Sequence, residues 1–151
     1  MSENQIKNLV LTGASRGIGH ATVKRFSSAG WRVITCSRKG VPENCPWAAG
    51  IDNHIQVDLS SMEDIERASK VIIEKLGNGP LHALVNNAGI SPKDESFNRL
   101  NTISTPLDCW KNVFQVNFFA PIFLAKNLKN YLEKGSGSIV NVTSIAGGRV
   151  H

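Results

Sequence analysis

The stretch Thr12-Gly-Ala-Ser-Arg-Gly-Ile-Gly19 limits what this chain can fold into more than any other. An apolar run, Leu9-Val10-Leu11, precedes it, and an amphipathic stretch over residues 18–29 follows it. The order is strand, glycine turn, helix. Gly13 admits backbone angles closed to other residues, so the chain can turn sharply off the strand. Gly17 has no side chain to hold a phosphate away from the backbone, and Gly19 lets the new helix pack close to the sheet. The open amides at the helix start, with the positive end of the helix dipole, form an anion site whose natural occupant is a pyrophosphate. The spacing is Gly-x-x-x-Gly-x-Gly, not the commoner Gly-x-Gly-x-x-Gly, and no Gly-Lys-Ser/Thr follows to make a Walker loop. A glycine-rich turn without a ligand is the plain alternative.

Short apolar strands alternate with longer amphipathic helices along the rest of the chain, which argues an α/β fold with a parallel sheet of βαβ units. The pattern predicts strands over 7–11, 31–36, 54–58, 81–85 and 137–144, and a first helix over 17–29. Ser60 with Glu63 reads as a capping box for a second helix, with Ile65, Ala68, Ile72 and Leu76 on its apolar face. Thr105 reads as the N-cap of a long third helix, with Pro106 at its first position and Asp108 in its first turn. Trp110, Val113, Phe114, Phe118, Ile122 and Leu128 form an apolar stripe along it, suited to core or subunit interface.

At 151 residues, with 41% hydrophobic and 19% charged residues, the chain is expected to be one soluble globular domain. No apolar run approaches the roughly 18 residues that span a membrane, and the N-terminus lacks the pattern of a signal peptide. A cytoplasmic location is the resulting expectation. Cys36, Cys45 and Cys109 are odd in number and far apart, so neither a disulfide framework nor a metal site is expected. The net charge of +5 is scattered as pairs such as Lys24-Arg25 and Arg38-Lys39, not gathered into the stripe of a nucleic-acid binder. An anionic cofactor or substrate accounts for part of it.

The candidate site residues cluster at the predicted carboxyl ends of strands. An acid at the end of the second strand would accept the ribose 2′-hydroxyl of NAD. Here the residues are Ser37, Arg38 and Lys39, and Arg38 can form a bidentate pair with a 2′-phosphate. Arg16, inside the glycine turn, approaches the same phosphate from the other side. NADP is thus favoured over NAD, the alternative being solvated loop charges. Asp58 ends the third strand and reads either as an acceptor for an adenine amino group or as a helix-start residue. Asn86-Asn87-Ala88-Gly89 ends the fourth strand. Its asparagines can tie neighbouring loops together, and Ala88-Gly89 leave backbone open to a flat ligand, unless the segment is a plain turn. Asn117 interrupts the apolar stripe, and Pro121 removes the amide its carbonyl would pair with in an α-helix. The pair therefore presents a side chain and a freed carbonyl together, or is a kink for packing. Ser144 follows the fifth strand and suits a substrate oxygen, without the flanks of a nucleophile elbow. His54 reads as a strand-edge residue, and His82 as solvent-facing.

Taken together, these motifs resemble the short-chain dehydrogenase/reductase family across the whole chain, and its 3-oxoacyl-acyl-carrier-protein reductases in particular. Thr12-Gly13-x-x-x-Gly17-x-Gly19 is similar to the family's cofactor motif and Asp58 to its adenine-contacting acid. Asn86-Asn87-Ala88-Gly89 is similar to its strand-four motif, Asn117 to its helix asparagine and Ser144 to its catalytic serine. The resemblance implies a Rossmann-type doubly wound parallel sheet and hydride transfer between NADP(H) and a small carbonyl or alcohol substrate. Homo-oligomers, dimers or tetramers, are also implied. The implied catalytic residues are Ser144 and Asn117. The implied cofactor-binding residues are Gly13, Ser15, Arg16, Gly17, Ile18, Gly19, Arg38, Asp58, Leu59, Asn87, Ala88 and Gly89. In that family a Tyr-x-x-x-Lys pair follows the serine. The single tyrosine here, Tyr131, precedes Ser144 and has Gly135 four positions on. The resemblance therefore implies a domain incomplete at its C-terminal side, an N-terminal portion with little activity alone. A non-catalytic dinucleotide-binding module or sensor, or a fragment without function, are the competing expectations.

Overall fold

The computed structural model describes residues 6–40 and 51–144. Cys45, named above, lies outside these residues. In chain order the strands are β1 (Asn8–Thr12), β2 (Arg32–Ser37), β3 (His54–Gln56), β4 (Ala83–Asn86) and β5 (Ser138–Asn141). The helices are α1 (Gly17–Ser28), α2 (Met62–Leu76), α3 (Leu107–Phe114), α4 (Ala120–Asn127) and α5 (Lys129–Lys134). A π-helical turn, Gln115–Phe119, joins α3 to α4.

The five strands form one parallel sheet in the order β3-β2-β1-β4-β5. The chain builds outward from β1 in one direction through β2 and β3, then returns to the other side of β1 with β4 and β5. The order therefore reverses between β1 and β4, and a crevice opens at their carboxyl ends. This is the doubly wound arrangement expected from the sequence.

Every residue of β1 is buried, which is why Leu9-Val10-Leu11 reads as an unbroken apolar run. Alternation across the pleat sends Val10 to one face and Leu9 and Leu11 to the other. Val10 packs with Ile34, Ile65, Ile72, Leu84 and Leu124, the cluster that seats α2 and α4. Leu9 and Leu11 pack with Val23 of α1 and with Val33 and Val85. The rim of this second cluster holds Phe26 and Trp31, whose rings meet edge to face at 5.0 Å between centroids.

Strands β1 to β4 differ from the sequence reading by one or two residues at their ends, and the larger departures have local reasons. The cap of α2 is Ser61, not Ser60: the Ser61 hydroxyl accepts the Asp64 amide at 3.2 Å. Ser60 is engaged one step earlier, donating its amide and its hydroxyl to Asp58 Oδ1 at 2.9 and 2.7 Å. The cap of α3 is Pro106 in extended conformation, because the Thr105 hydroxyl donates to the Asn101 carbonyl. β5 stops at Asn141 and not at 144, since β4, its partner, ends at Asn86. Finally, of the predicted stripe only Leu128 is buried in the core, with Trp110 and Val113 half-buried. Val116, Ala120, Leu124 and Leu128 face the core, while Phe114, Phe118 and Ile122 are about half exposed at 51%, 55% and 48%. The π turn shifts the buried face, an effect no fixed helical period includes.

His82 is likewise half-buried rather than solvent-facing. Its Nδ1 accepts the Asn8 amide at 3.0 Å at the amino end of the sheet. Among the described residues no helix is long and apolar enough to cross a membrane, and no cluster of side chains is arranged to hold a metal ion.

Candidate functional site

The crevice at the sheet's switch point is a cleft of about 590 Å³. Its floor is the glycine turn between β1 and α1. Gly13 has φ +69°, and a Cβ there would lie 2.8 Å from Ala88 Cα, so this position excludes every other residue on two counts. The turn is tied on both sides. Gly13 donates its amide to the Cys36 carbonyl at 2.9 Å. Asn87 Nδ2 donates to the Thr12 and Gly13 carbonyls, both at 3.1 Å. The Thr12 hydroxyl accepts the amides of Asn87 and Ala88 at 3.1 and 3.0 Å. Three strand ends, those of β1, β2 and β4, are thereby locked around one turn.

The first turn of α1 is chemically open. Its N-cap, Arg16, is extended at φ −157°, makes no side-chain cap, and no acidic residue follows in the first turn. The amides therefore keep their capacity for an external anion, reinforced by the helix dipole. A Cβ at Gly17 would meet nothing within 4 Å. That open space lies where the backbone faces the cleft. Gly19 does the opposite: a Cβ there would lie 2.1 Å from the Gly13 carbonyl oxygen.

Of the residues expected to bind the cofactor, all but Gly19 line the cleft: Gly13, Ser15, Arg16, Gly17, Ile18, Arg38, Asp58, Leu59, Asn87, Ala88 and Gly89. Gly19 is held back by its packing against the turn. Among the described residues neither Arg16 nor Arg38 has an ion-pair partner. Asp58 takes the helix-start role that its sequence context offered, and it also borders the cleft. Its Oδ1 holds Ser60 at the start of α2, its amide donates to Asp64 Oδ2 at 2.6 Å, and its carboxylate borders the cleft.

Asn117 sits at the centre of the π turn. Its side chain is fully engaged with the backbone of Ile90: Oδ1 accepts the Ile90 amide and Nδ2 donates to the Ile90 carbonyl, both at 2.8 Å. The Ala120 amide reaches back five residues to the Gln115 carbonyl. Pro121 offers no amide to the Asn117 carbonyl in an α-turn or to the Val116 carbonyl in a π-turn. The side chain thus positions the loop after β4. Ser144 follows β5 at the same carboxyl edge of the sheet and is exposed. Tyr131 is elsewhere: its carbonyl accepts the Leu81 amide at 2.9 Å, ahead of β4 at the sheet's opposite end. Asn86 is buried and binds β4 to β5 through Asn141 Oδ1 at 2.9 Å.

Beyond the residues expected to bind, Cys36, Ser37, Val57, Ser60, Ile90, Asn112 and Val116 also line the cleft. Ser37 and Ile90 adjoin residues the sequence reading named. Asn112 and Val116 share a helix face at a spacing of four, a signal visible only once that face is known to turn toward the crevice.

The titratable groups near the site are perturbed in two places. Burial pushes the Cys36 thiol from 9.0 up to about 12, so it stays protonated and inert. The Arg67 side chain, together with the Asp58 amide, holds the Asp64 carboxyl below its ordinary value.

Comparison with known proteins agrees with this geometry. The family model described as short chain dehydrogenase matches residues 7–151. Protein FixR of Bradyrhizobium diazoefficiens is 55% identical over 96% of this chain and 52% of its own length. A 3-oxoacyl-[acyl-carrier-protein] reductase of Aquifex aeolicus is 31% identical over 95% of this chain and 57% of its own. The chain thus spans about half the length of the curated relatives it matches. The crystal structure of an oxidoreductase of the short chain dehydrogenase/reductase family from Brucella ovis, in complex with a partially ordered NAD, superposes with a TM-score of 0.92. It is 66% identical, over 97% of this chain and 67% of that one. A matching family model over nearly the whole chain, on a doubly wound sheet with an open helix N-terminus at its switch point, places this chain in the short-chain dehydrogenase/reductase family.

Proposed function

We propose that the chain is the cofactor-binding portion of an NADP(H)-dependent oxidoreductase acting on a small carbonyl or alcohol substrate. The observation that carries this reading is the end of β2. It presents Ser37 and Arg38 to the cleft where an NAD-preferring site would present an acid, and Arg16 lines the same cleft from the glycine turn. The donor set fits a dinucleotide. The α1 amides and Gly17 suit a pyrophosphate, and the two arginines suit a 2′-phosphate. Asp58 Oδ2 is left to accept from an adenine amino group.

When bound, the nicotinamide supplies or accepts the hydride. The chain's own residues bind, orient and hold protons. Ser144 donates a hydrogen bond that orients the substrate oxygen. The Asn117 carbonyl accepts from a water in a proton relay, while its side chain holds Ile90 at the cleft wall. Tyr131, at the other end of the sheet, takes no part in proton transfer.

Calorimetric titration of the protein with NADP and with NAD tests the reading. NADP binds at least about tenfold more tightly, and Arg38→Ala removes most of that preference while leaving NAD binding nearly unchanged. Equal affinities in the unaltered protein overturn the NADP assignment. Oxidation of NADPH by the full-length protein in the presence of ketones then separates an enzyme from a dinucleotide-binding module or sensor, which binds without turnover.

A further inference from the structure

Arg38 has no ion-pair partner of its own among the described residues, yet its backbone is held unusually well. The two carbonyls that follow its Cα and that of Lys39 are both capped by side chains reaching across from β3. Gln56 Nε2 donates to the Arg38 carbonyl at 2.9 Å. His54 Nε2 lies 2.9 Å from the Lys39 carbonyl, which also accepts the Ser37 hydroxyl at 2.6 Å. A carbonyl oxygen only accepts, so Nε2 carries the proton. Nδ1 is then an acceptor, and it meets the Thr35 hydroxyl at 2.9 Å.

His54 and Gln56 are two residues apart on one strand and share a face. The parallel register sets them opposite Thr35 and Ser37 of β2, one step short of the loop they hold. Arg38 borders two concavities, the cofactor cleft and a groove of about 630 Å³ over β3. The groove contains two carboxylates, Asp58 and Asp64, and among the described residues neither lies within ion-pair distance of Arg38. Both Asp64 oxygens are already engaged, Oδ1 by Arg67 and Oδ2 by the Asp58 amide, each at 2.6 Å. Arg67 in turn donates to the Gln56 carbonyl at 2.6 Å, which fixes the strand from which the clamp projects.

From this geometry we infer that His54 and Gln56 are positioning residues for cofactor selectivity: they clamp the Arg38 and Lys39 carbonyls so that the Arg38 guanidinium is presented to a 2′-phosphate in the cleft. The inference rests on the NADP reading above. A loop ordered in advance loses less freedom when the phosphate binds, and a ligand without that phosphate gains nothing from it. The effect therefore belongs to the ratio of the two affinities, not to their common value.

The test is a set of calorimetric titrations with NADP and NAD on the full-length protein. The variants are His54→Ala, His54→Gln, Gln56→Met, the pair His54→Ala/Gln56→Met, and each of these combined with Arg38→Ala. The paired variant weakens NADP by about tenfold and NAD by less than about twofold, and His54→Gln, which keeps a donor at similar reach, recovers most of the loss. In the Arg38→Ala background the clamp variants leave the ratio unchanged. If Arg38→Ala abolishes selectivity but the clamp variants do not alter it, the inference is wrong and the NADP reading stands. The inference is equally wrong if the clamp variants lower both affinities to the same extent, which is a merely structural effect. If the unaltered protein shows no preference for NADP, the underlying reading fails and the inference fails with it.

Discussion

Gly13 and Gly17 stand four positions apart in one turn and meet opposite surroundings. An alanine at 13 has both a left-handed backbone, at φ +69°, and a methyl 2.8 Å from the Ala88 backbone. Gly13→Ala is expected to cost about 3 kcal/mol or more in a urea titration, since neither neighbour can withdraw. Gly17→Ala, at φ +54° but in open space, costs about 1 kcal/mol of stability. Its main effect is on cofactor affinity, which falls about tenfold or more because the methyl occupies the anion's place. The sharp turn at Gly13 was readable from spacing alone, because the position lies where a strand must turn into a helix. The sequence reading had no means of finding the clamp on Lys39, whose partner His54 lies 15 residues away along the chain. Cys36 gives a pH-dependent counterpart. Its thiol ionises near 9.0 when unfolded and only at about 12 when folded. Its contribution is complete below 9.0 and is lost as the pH rises toward 12, because only the unfolded chain gains from ionising. Unfolding midpoints measured from pH 8 to 11 should fall more steeply in the unaltered protein than in Cys36→Ala.

At the scale of elements, the start of α2 and the π turn are places where the structure departs from the sequence pattern. Ser60 and Ser61 are both plausible caps, and the choice depends on Asp58 capturing Ser60, a preference set by the end of β3 and not by the helix. The resulting ring of Asp58, Asp64 and Arg67 depends on charge. Asp64 is held below its ordinary value, so its stabilisation is present above the unfolded carboxylate range and disappears as the pH falls through its folded value. The stability difference between the unaltered protein and Asp64→Asn is expected to shrink below about pH 4 in denaturant titrations. The π turn was legible only as a proline spaced four residues from Asn117; its wide geometry and its grip on Ile90 depend on a loop far away in sequence. Asn117→Ala removes both bonds to the Ile90 backbone. It should lower stability by about 1 kcal/mol, because the bonds are exposed. Cofactor affinity should fall several-fold in the same variant, since Ile90 and Gly89 line the cleft.

Across the whole molecule the sheet order and the crevice were readable because alternating strands and helices allow few right-handed parallel arrangements. Which helix face would be covered was not readable. Phe114, Phe118, Phe119 and Ile122 stay 43–55% exposed; Ile139 and Val140 of β5, with Val142 just beyond it, are 38–48% exposed at a strand paired on one side only. A parallel strand with apolar residues on both faces ordinarily lies in a sheet interior, covered by helices. An edge of this kind also offers unpaired amides and carbonyls to a second chain. A polypeptide limited to residues 1–151 should therefore bind a hydrophobic dye and elute as an associated species in size exclusion with light scattering. Phe118→Ser and Val140→Lys together should reduce both signals without altering the cleft, which neither residue lines. NADP at a hundred times its dissociation constant stabilises the folded form by about 2.7 kcal/mol in either version, because ligand linkage depends on the cleft alone. Loss of that linkage in the doubly substituted chain would mean that the exposed face and the cleft are coupled.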